Sequence, residues 1–214
     1  KQCLVGSEMC IRDREISDKK NVKLVAVTKT FPINHILPVI NEGHVDFGEN
    51  KVQEALEKWT SIKQDFPKIK LHLIGKLQTN KVKFVLPLFD YIHSLDSLKL
   101  AGKISEQQTI KNFKPKLFIQ VNIGNEPQKG GVEIDNVENF YKKCVEDFKL
   151  NIVGLMCIPP FDKDSKPYFT KMRELSNNLN LKEISMGMSN DYMEAINQGS
   201  TFIRVGSKIF GARG

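Results

Sequence analysis

No apolar run in this chain approaches the length needed to cross a bilayer, which removes helical membrane proteins from consideration. The first residues lack the charged region, apolar core and small-residue cleavage site of a secretory signal. No linker rich in proline, glycine or serine divides the chain, so separate domains on a tether are not expected. Cysteine is sparse: Cys3, Cys10, Cys144 and Cys157 fit no zinc spacing, and 214 residues can bury a core without disulfide staples. A reducing cytoplasm is the simplest compartment for such thiols, and no metal site is expected. A formal charge of +7 invites a nucleic-acid reading, but the lysines are spread along the chain with no basic stripe interleaved with aromatics. A solvated lysine-rich surface, favourable to a small anionic ligand, explains the charge better.

The opening "KQCLVGSEMCIRDR" carries neither helical nor strand periodicity and resembles sequencing-adapter read-through. Lys1–Arg14 is therefore expected to be a non-native leader, with a short natural helix as the alternative, and 15–214 a single domain.

From there a single rhythm repeats. Apolar, β-branched runs at 22–29, 44–49, 70–75, 90–95, 116–123, 151–158, 183–188 and 201–206 alternate with segments of helical period. Several runs are apolar on both faces, as parallel strands covered by helices should be. The helical stripes are Ile33, Ile36, Leu37, Ile40; Val52, Ala55, Leu56, Trp59; Val137, Phe140, Tyr141, Cys144, Val145, Phe148; and Phe169, Met172, Leu175 after Pro167. Cys144 and Cys157 fall within these apolar elements as core residues. Eight such units predict a single (β/α)8 TIM barrel. The alternative, a doubly wound open sheet, would normally show a glycine-rich turn after its first strand, where this chain reads "TKTFP".

Chemistry in a barrel of this kind sits at the C-terminal ends of the strands. Lys29 continues the row Val25, Val27 by the two-residue period, which would place an amine over an apolar mouth. Desolvation there lowers an amine's pKa and frees the neutral nucleophile for Schiff-base chemistry. A lysine bending outward into water fits the same period, and periodicity leaves both open. Ser189 is placed where a helix over 190–198 would begin, and Gly206 and Ser207 follow the eighth strand, where such barrels often hold phosphate. The plain readings of these residues are an N-cap and a turn. Arg204, inside the eighth strand, needs a partner: a carboxylate such as Glu49, or a ligand ring nitrogen. An amine, a phosphate cradle and a cation at one mouth suggest pyridoxal 5′-phosphate (PLP).

The blocks "AVTKTFP", "FGENKVQE", "HLIGKLQTNK", "QVNIGNE", "GLMCIPP" and "SMGMSNDYMEAINQGSTFIRVGSKIFGAR" stand in this order from Val22 to Arg213. In this they resemble the pyridoxal phosphate homeostasis proteins, called YggS in bacteria and PROSC in animals. The resemblance implies a barrel of the alanine racemase N-terminal-domain type. It implies that Lys29 forms an aldimine with PLP, that Ser189, Gly206 and Ser207 surround the phosphate, and that Arg204 faces the pyridine nitrogen. Asn50 and His72 belong to blocks near the pocket, with a supporting or core role. The chain departs from the pattern at Lys76 (usually proline), at Lys129-Gly130-Gly131 (usually "KSG") and at Ser207 (commonly threonine), and the helix ahead of the first strand is shortened or replaced.

The resemblance further implies a monomeric carrier and buffer of PLP that regulates vitamin B6 and amino-acid balance without robust catalysis, with PLP-dependent apo-enzymes as candidate recipients. An arginine at the pyridine nitrogen keeps it unprotonated and makes the ring a poorer electron sink. The chain also ends soon after the eighth strand, short of the second domain that supplies alanine racemase with a base. The alternatives are a weak PLP-dependent amino-acid racemase, a PLP-free phosphosugar barrel with Lys29 as an aldolase-type amine, and a nucleic-acid binder.

Overall fold

The computed structural model describes residues 22–211, and the expected leader at 1–14 lies outside them. Eight parallel strands close in sequence order, β1-β2-β3-β4-β5-β6-β7-β8, with β8 pairing back onto β1. The strands are β1 (Lys23–Val27), β2 (Asp46–Glu49), β3 (Lys70–Leu73), β4 (Tyr91–Leu95), β5 (Lys116–Val121), β6 (Ile152–Cys157), β7 (Glu183–Ser185) and β8 (Phe202–Val205). The helices are α1 (Ile33–Asn41), α2 (Val52–Asp65), α3 (Val82–Val85), α4 (Leu98–Lys111), α5 (Val137–Glu146), α6 (Lys166–Asn178), α7 (Tyr192–Asn197) and α8 (Ser207–Phe210). The fold is the expected (β/α)8 barrel, not the open sheet.

The wall of the barrel follows directly from the two-residue period. Leu24 and Ala26, Leu117 and Ile119, Leu155 and Cys157, and Ile203 and Val205 face outward into the layer beneath the helices. Val25, Phe118, Met156 and Phe202, one residue out of step with these, meet in the lumen with Tyr91. Strands with an apolar side chain on both faces can be buried on both, which is what a closed parallel sheet requires. The helices supply the other half of the outer layer. Trp59 is fully buried against Phe47, their rings 5.0 Å apart. Burial of that kind contributes roughly 1.5–3 kcal/mol for each large side chain. Cys144 and Cys157 are fully buried and form no disulfide, and burial pushes both thiols up to about 12.

Each strand starts close to the expected residue, and four of the eight (β1, β3, β5 and β7) stop two or three residues early. β1 ends at Val27 instead of 29, β3 at Leu73 instead of 75, and β7 at Ser185 instead of 188. At β7 the cause is Gly187, whose φ of +92° breaks the extended run. A side chain there would also strike Ala195 of α7. The residues with candidate chemistry therefore sit mostly on the turns that leave the strands. Among the described residues, no helix is long and apolar enough to cross a membrane.

Candidate functional site

Lys29 lies in the turn after β1, partly buried, and not on the strand itself. The Phe31 N–H closes that turn by donating to the Thr28 carbonyl at 3.1 Å. Thr30 holds the turn's third position at φ 69°, a region that β-branched residues rarely enter. What keeps it there is α2. The Thr30 N–H donates to Glu54 Oε1 at 2.6 Å, and Thr28 Oγ1 donates to Glu49 Oε1 at 2.7 Å. Lys58 Nζ ties the two carboxylates together, at 2.9 Å from Glu49 and 3.0 Å from Glu54, and also donates to the Thr28 carbonyl at 2.9 Å. Trp59 Nε1 adds a further bond to Glu49 Oε1 at 2.9 Å. Both neighbours of Lys29 are thus pinned from the helix layer.

Arg204 projects from β8 into the barrel and is 4% exposed. The expected carboxylate partner does not pair with it. Glu49 has the opposite parity on β2 and faces outward to α2, whereas Arg204 faces inward. Arg204 Nη1 donates to Ser185 Oγ at 2.6 Å and Nη2 to the Cys157 carbonyl at 2.9 Å. From Ser185 a line of polar contacts continues down the lumen. Ser185 Oγ lies 2.9 Å from His93 Nδ1, His93 Nε2 lies 3.0 Å from His72 Nδ1, and His72 Nε2 lies 2.9 Å from Asp46 Oδ1. His72 stacks on Tyr91 and His93 on Phe118, so both rings are clamped by aromatic faces.

Burial pulls His72 below the ordinary imidazole value despite the Asp46 carboxylate, and pulls His93 well below it with help from His72 and Arg204. Burial alone would raise the Asp46 carboxyl, but the hydrogen bond and charge from His72, with His44 and Lys23 behind, hold it below its usual value. Burial also lowers the Arg204 guanidinium.

At the β8 turn, Gly206 is buried against β1, and a Cβ there would meet the Val27 carbonyl at 3.1 Å. That close approach sets the β8 turn beside the turn of Lys29. Ser207 is the first residue of α8 and is exposed. Ser189 does not begin a helix: α7 starts at Tyr192, and Ser189 sits in the preceding turn, where Asp191 Oδ1 accepts from the Met188 N–H at 2.6 Å. Asn50 follows β2 and crosses so near Gly75 that only a glycine fits there. Lys76 is exposed. The structure thus sets Lys29, Gly206 and Ser207 at the neighbouring ends of β1 and β8, with Arg204 two residues before Gly206 on β8. Asn50 stands across β2, and Ser189 in the turn after β7. His72 is a lumen residue on β3, with β1 and β2 between it and Arg204 on β8. The lumen residues Asp46, His93 and Ser185 were not singled out from sequence. Their signal was a polar or titratable residue at an inward position in an otherwise apolar strand.

This barrel, with its polar groups gathered at the strand ends, is of a recognisable class. Residues 12–214 match the family described as alanine racemase, N-terminal domain. The chain is 40% identical over 200 residues to the pyridoxal phosphate homeostasis protein of Aquifex aeolicus (89% of this chain, 87% of that one). It is 32% identical over 203 residues to the protein of that name in Escherichia coli K12 (91% and 87%). The structure of PipY from Synechococcus elongatus with PLP bound superposes with a TM-score of 0.88 at 32% identity, covering 97% of this chain and all of that one. The chain belongs to the pyridoxal phosphate homeostasis protein family. An alanine racemase of Clostridium difficile, 14% identical with a TM-score of 0.73, shares the barrel and extends well beyond it, since the match covers 57% of that chain.

Proposed function

We propose that this chain binds PLP at the mouth between β1 and β8 and acts as a carrier and buffer of that cofactor. Its role would lie in vitamin B6 and amino-acid balance, without robust catalysis of its own. The observation that carries the reading is Arg204, a buried guanidinium at the strand ends of a barrel whose PipY relative is described with PLP bound. The donor set fits the group. A guanidinium only donates and cannot be deprotonated, so it suits an unprotonated aromatic ring nitrogen. Gly206, Ser207 and Ser189 offer bare backbone and two hydroxyls for a phosphate arm. Lys29 would supply the amine that holds the cofactor's aldehyde reversibly. Thr28 and Thr30, held from α2, would keep Lys29 at a fixed distance from Arg204. A ring nitrogen that stays unprotonated withdraws electrons weakly, which favours storage and transfer over carbanion chemistry. Two buried cysteines with no disulfide agree with a cytoplasmic setting.

Borohydride reduction of the PLP-loaded protein followed by peptide mapping tests this. The pyridoxyl mass is expected on the peptide containing Lys29 and should be lost in Lys29→Ala; a mass on another lysine would overturn the assignment. The racemase alternative predicts that L-alanine incubated with the loaded protein yields the D-isomer at a steady rate.

A further inference from the structure

The polar line through the lumen has a direction fixed by its two ends. Arg204 can only donate, so Ser185 Oγ accepts from Nη1 and turns its own hydrogen to His93 Nδ1. At the other end the Asp46 carboxylate only accepts, so His72 carries its proton on Nε2. With both rings neutral, His72 Nδ1 is an acceptor and His93 Nε2–H donates to it. Every link is then satisfied in one sense, Arg204 to Ser185 to His93 to His72 to Asp46, and no other assignment of neutral rings satisfies all of them. Among the described residues no carboxylate lies within ion-pair distance of Arg204, and the one acid in this line is Asp46, 16% exposed at the opposite end of the barrel.

We infer that Ser185 is a positioning residue. Backed by His93, His72 and Asp46, it aims the Arg204 guanidinium at the cofactor ring and links that end of the site to a carboxylate at the far mouth. The inference rests on the PLP reading above. Among the described residues, Arg204 is held by two hydrogen bonds, to Ser185 and to the Cys157 carbonyl. Removing the first leaves a long cation with one anchor and two imidazoles free to flip. Hydrogen bonds of this kind, with a charged donor, are among the stronger ones.

Two measurements on the full chain test it. The first needs no cofactor: ring 15N–1H correlation spectra at pH 7 should show both His72 and His93 as neutral Nε2–H tautomers. An Nδ1–H tautomer or a charged ring at either position overturns the relay. The second compares PLP-loaded wild type with Ser185→Ala, Ser185→Thr and Asp46→Asn by absorption spectrum and PLP titration. Ser185→Ala should shift the absorption maximum of the bound cofactor and weaken PLP binding by about tenfold or more. The pyridoxyl mass should still map to Lys29, and Ser185→Thr, which keeps the hydroxyl, should restore the wild-type spectrum. Asp46→Asn keeps an acceptor for His72 but removes the distant charge. It should shift the spectrum in the same direction by less, and it stays informative if Ser185→Ala folds poorly. Wild type that takes up no PLP overturns the cofactor reading and this inference together. Wild type that binds while Ser185→Ala and Asp46→Asn both match it overturns the inference alone.

Discussion

Strand β2 carries two carboxylates three residues apart, Glu49 fully buried and Asp46 partly so, and they solve the same problem in opposite ways. Glu49 faces out of the barrel and is met on the spot by Lys58, with Thr28 and Trp59 donating to the same carboxylate oxygen, Oε1. Asp46 faces in, and the line it anchors reaches Arg204 only through two imidazoles and a hydroxyl. The outer network closes a charge locally and braces the turn of Lys29. The inner one spreads a charge across the lumen and sets a direction. A compact buried ion pair is chiefly a matter of stability once its partners are in place, because removing one strands the other in a low dielectric. A relay of neutral links can be altered with less damage to the fold and more to what its last member points at.

Substitutions can break this contrast or sharpen it. Glu49→Leu should cost the most, about 3–5 kcal/mol in urea unfolding, because it leaves the part-buried Lys58 and buried Trp59 donors without their acceptor. Ser185→Ala should cost clearly less, about 1–2 kcal/mol in the same experiment. Equal losses would mean the two networks do not differ in kind. Acid should act through the inner network first. The folded values of both histidines lie below the free imidazole value. Their full contribution is therefore present above about pH 6.5 and is lost as pH falls, since the unfolded chain takes up protons the folded one refuses. Thermal melts between pH 7 and pH 5 should show stability falling by up to about 1.4 kcal/mol per pH unit for each ring that stays neutral. His93→Phe, which keeps the stack on Phe118, should flatten that slope. Asp46, with its carboxyl held low, adds a further loss only below about pH 4. The smallest effect is expected at Thr30→Gly. Relief of left-handed strain, about 1–2 kcal/mol, is partly offset by the entropy of glycine, for a net gain of at most about 1 kcal/mol in the melting experiment.

The barrel was legible because its strands are apolar on both faces and evenly spaced, a pattern with few other solutions. The cluster at the β1 and β8 ends was legible too, since parity alone puts Arg204 inward with Phe202 and Val25. The Arg204–Glu49 pairing could have been rejected on the same ground: Glu49 is out of step with Asp46, which faces inward. Positions just past the strands were harder. Lys29 was expected on a strand and stands in a turn, because the Thr28–Phe31 bond and α2 contacts end β1 early. Ser189 was expected to start a helix that begins three residues later. The relay was out of reach for a different reason. Each of its members is visible as an inward polar residue, but their heights in the lumen depend on strand stagger. His72 pairs in register with Tyr91, which lifts His93 one step toward the mouth. Periodicity says which face a side chain takes and nothing about how far neighbouring strands slide.

Gly206 resting on Val27 means that the first and last strands share one edge of the site. A ribosome must therefore deliver nearly the whole polypeptide before the proposed cofactor pocket exists at all. Nascent chains and proteolytic fragments that have lost either end should be unable to retain PLP, however well the intervening units have packed.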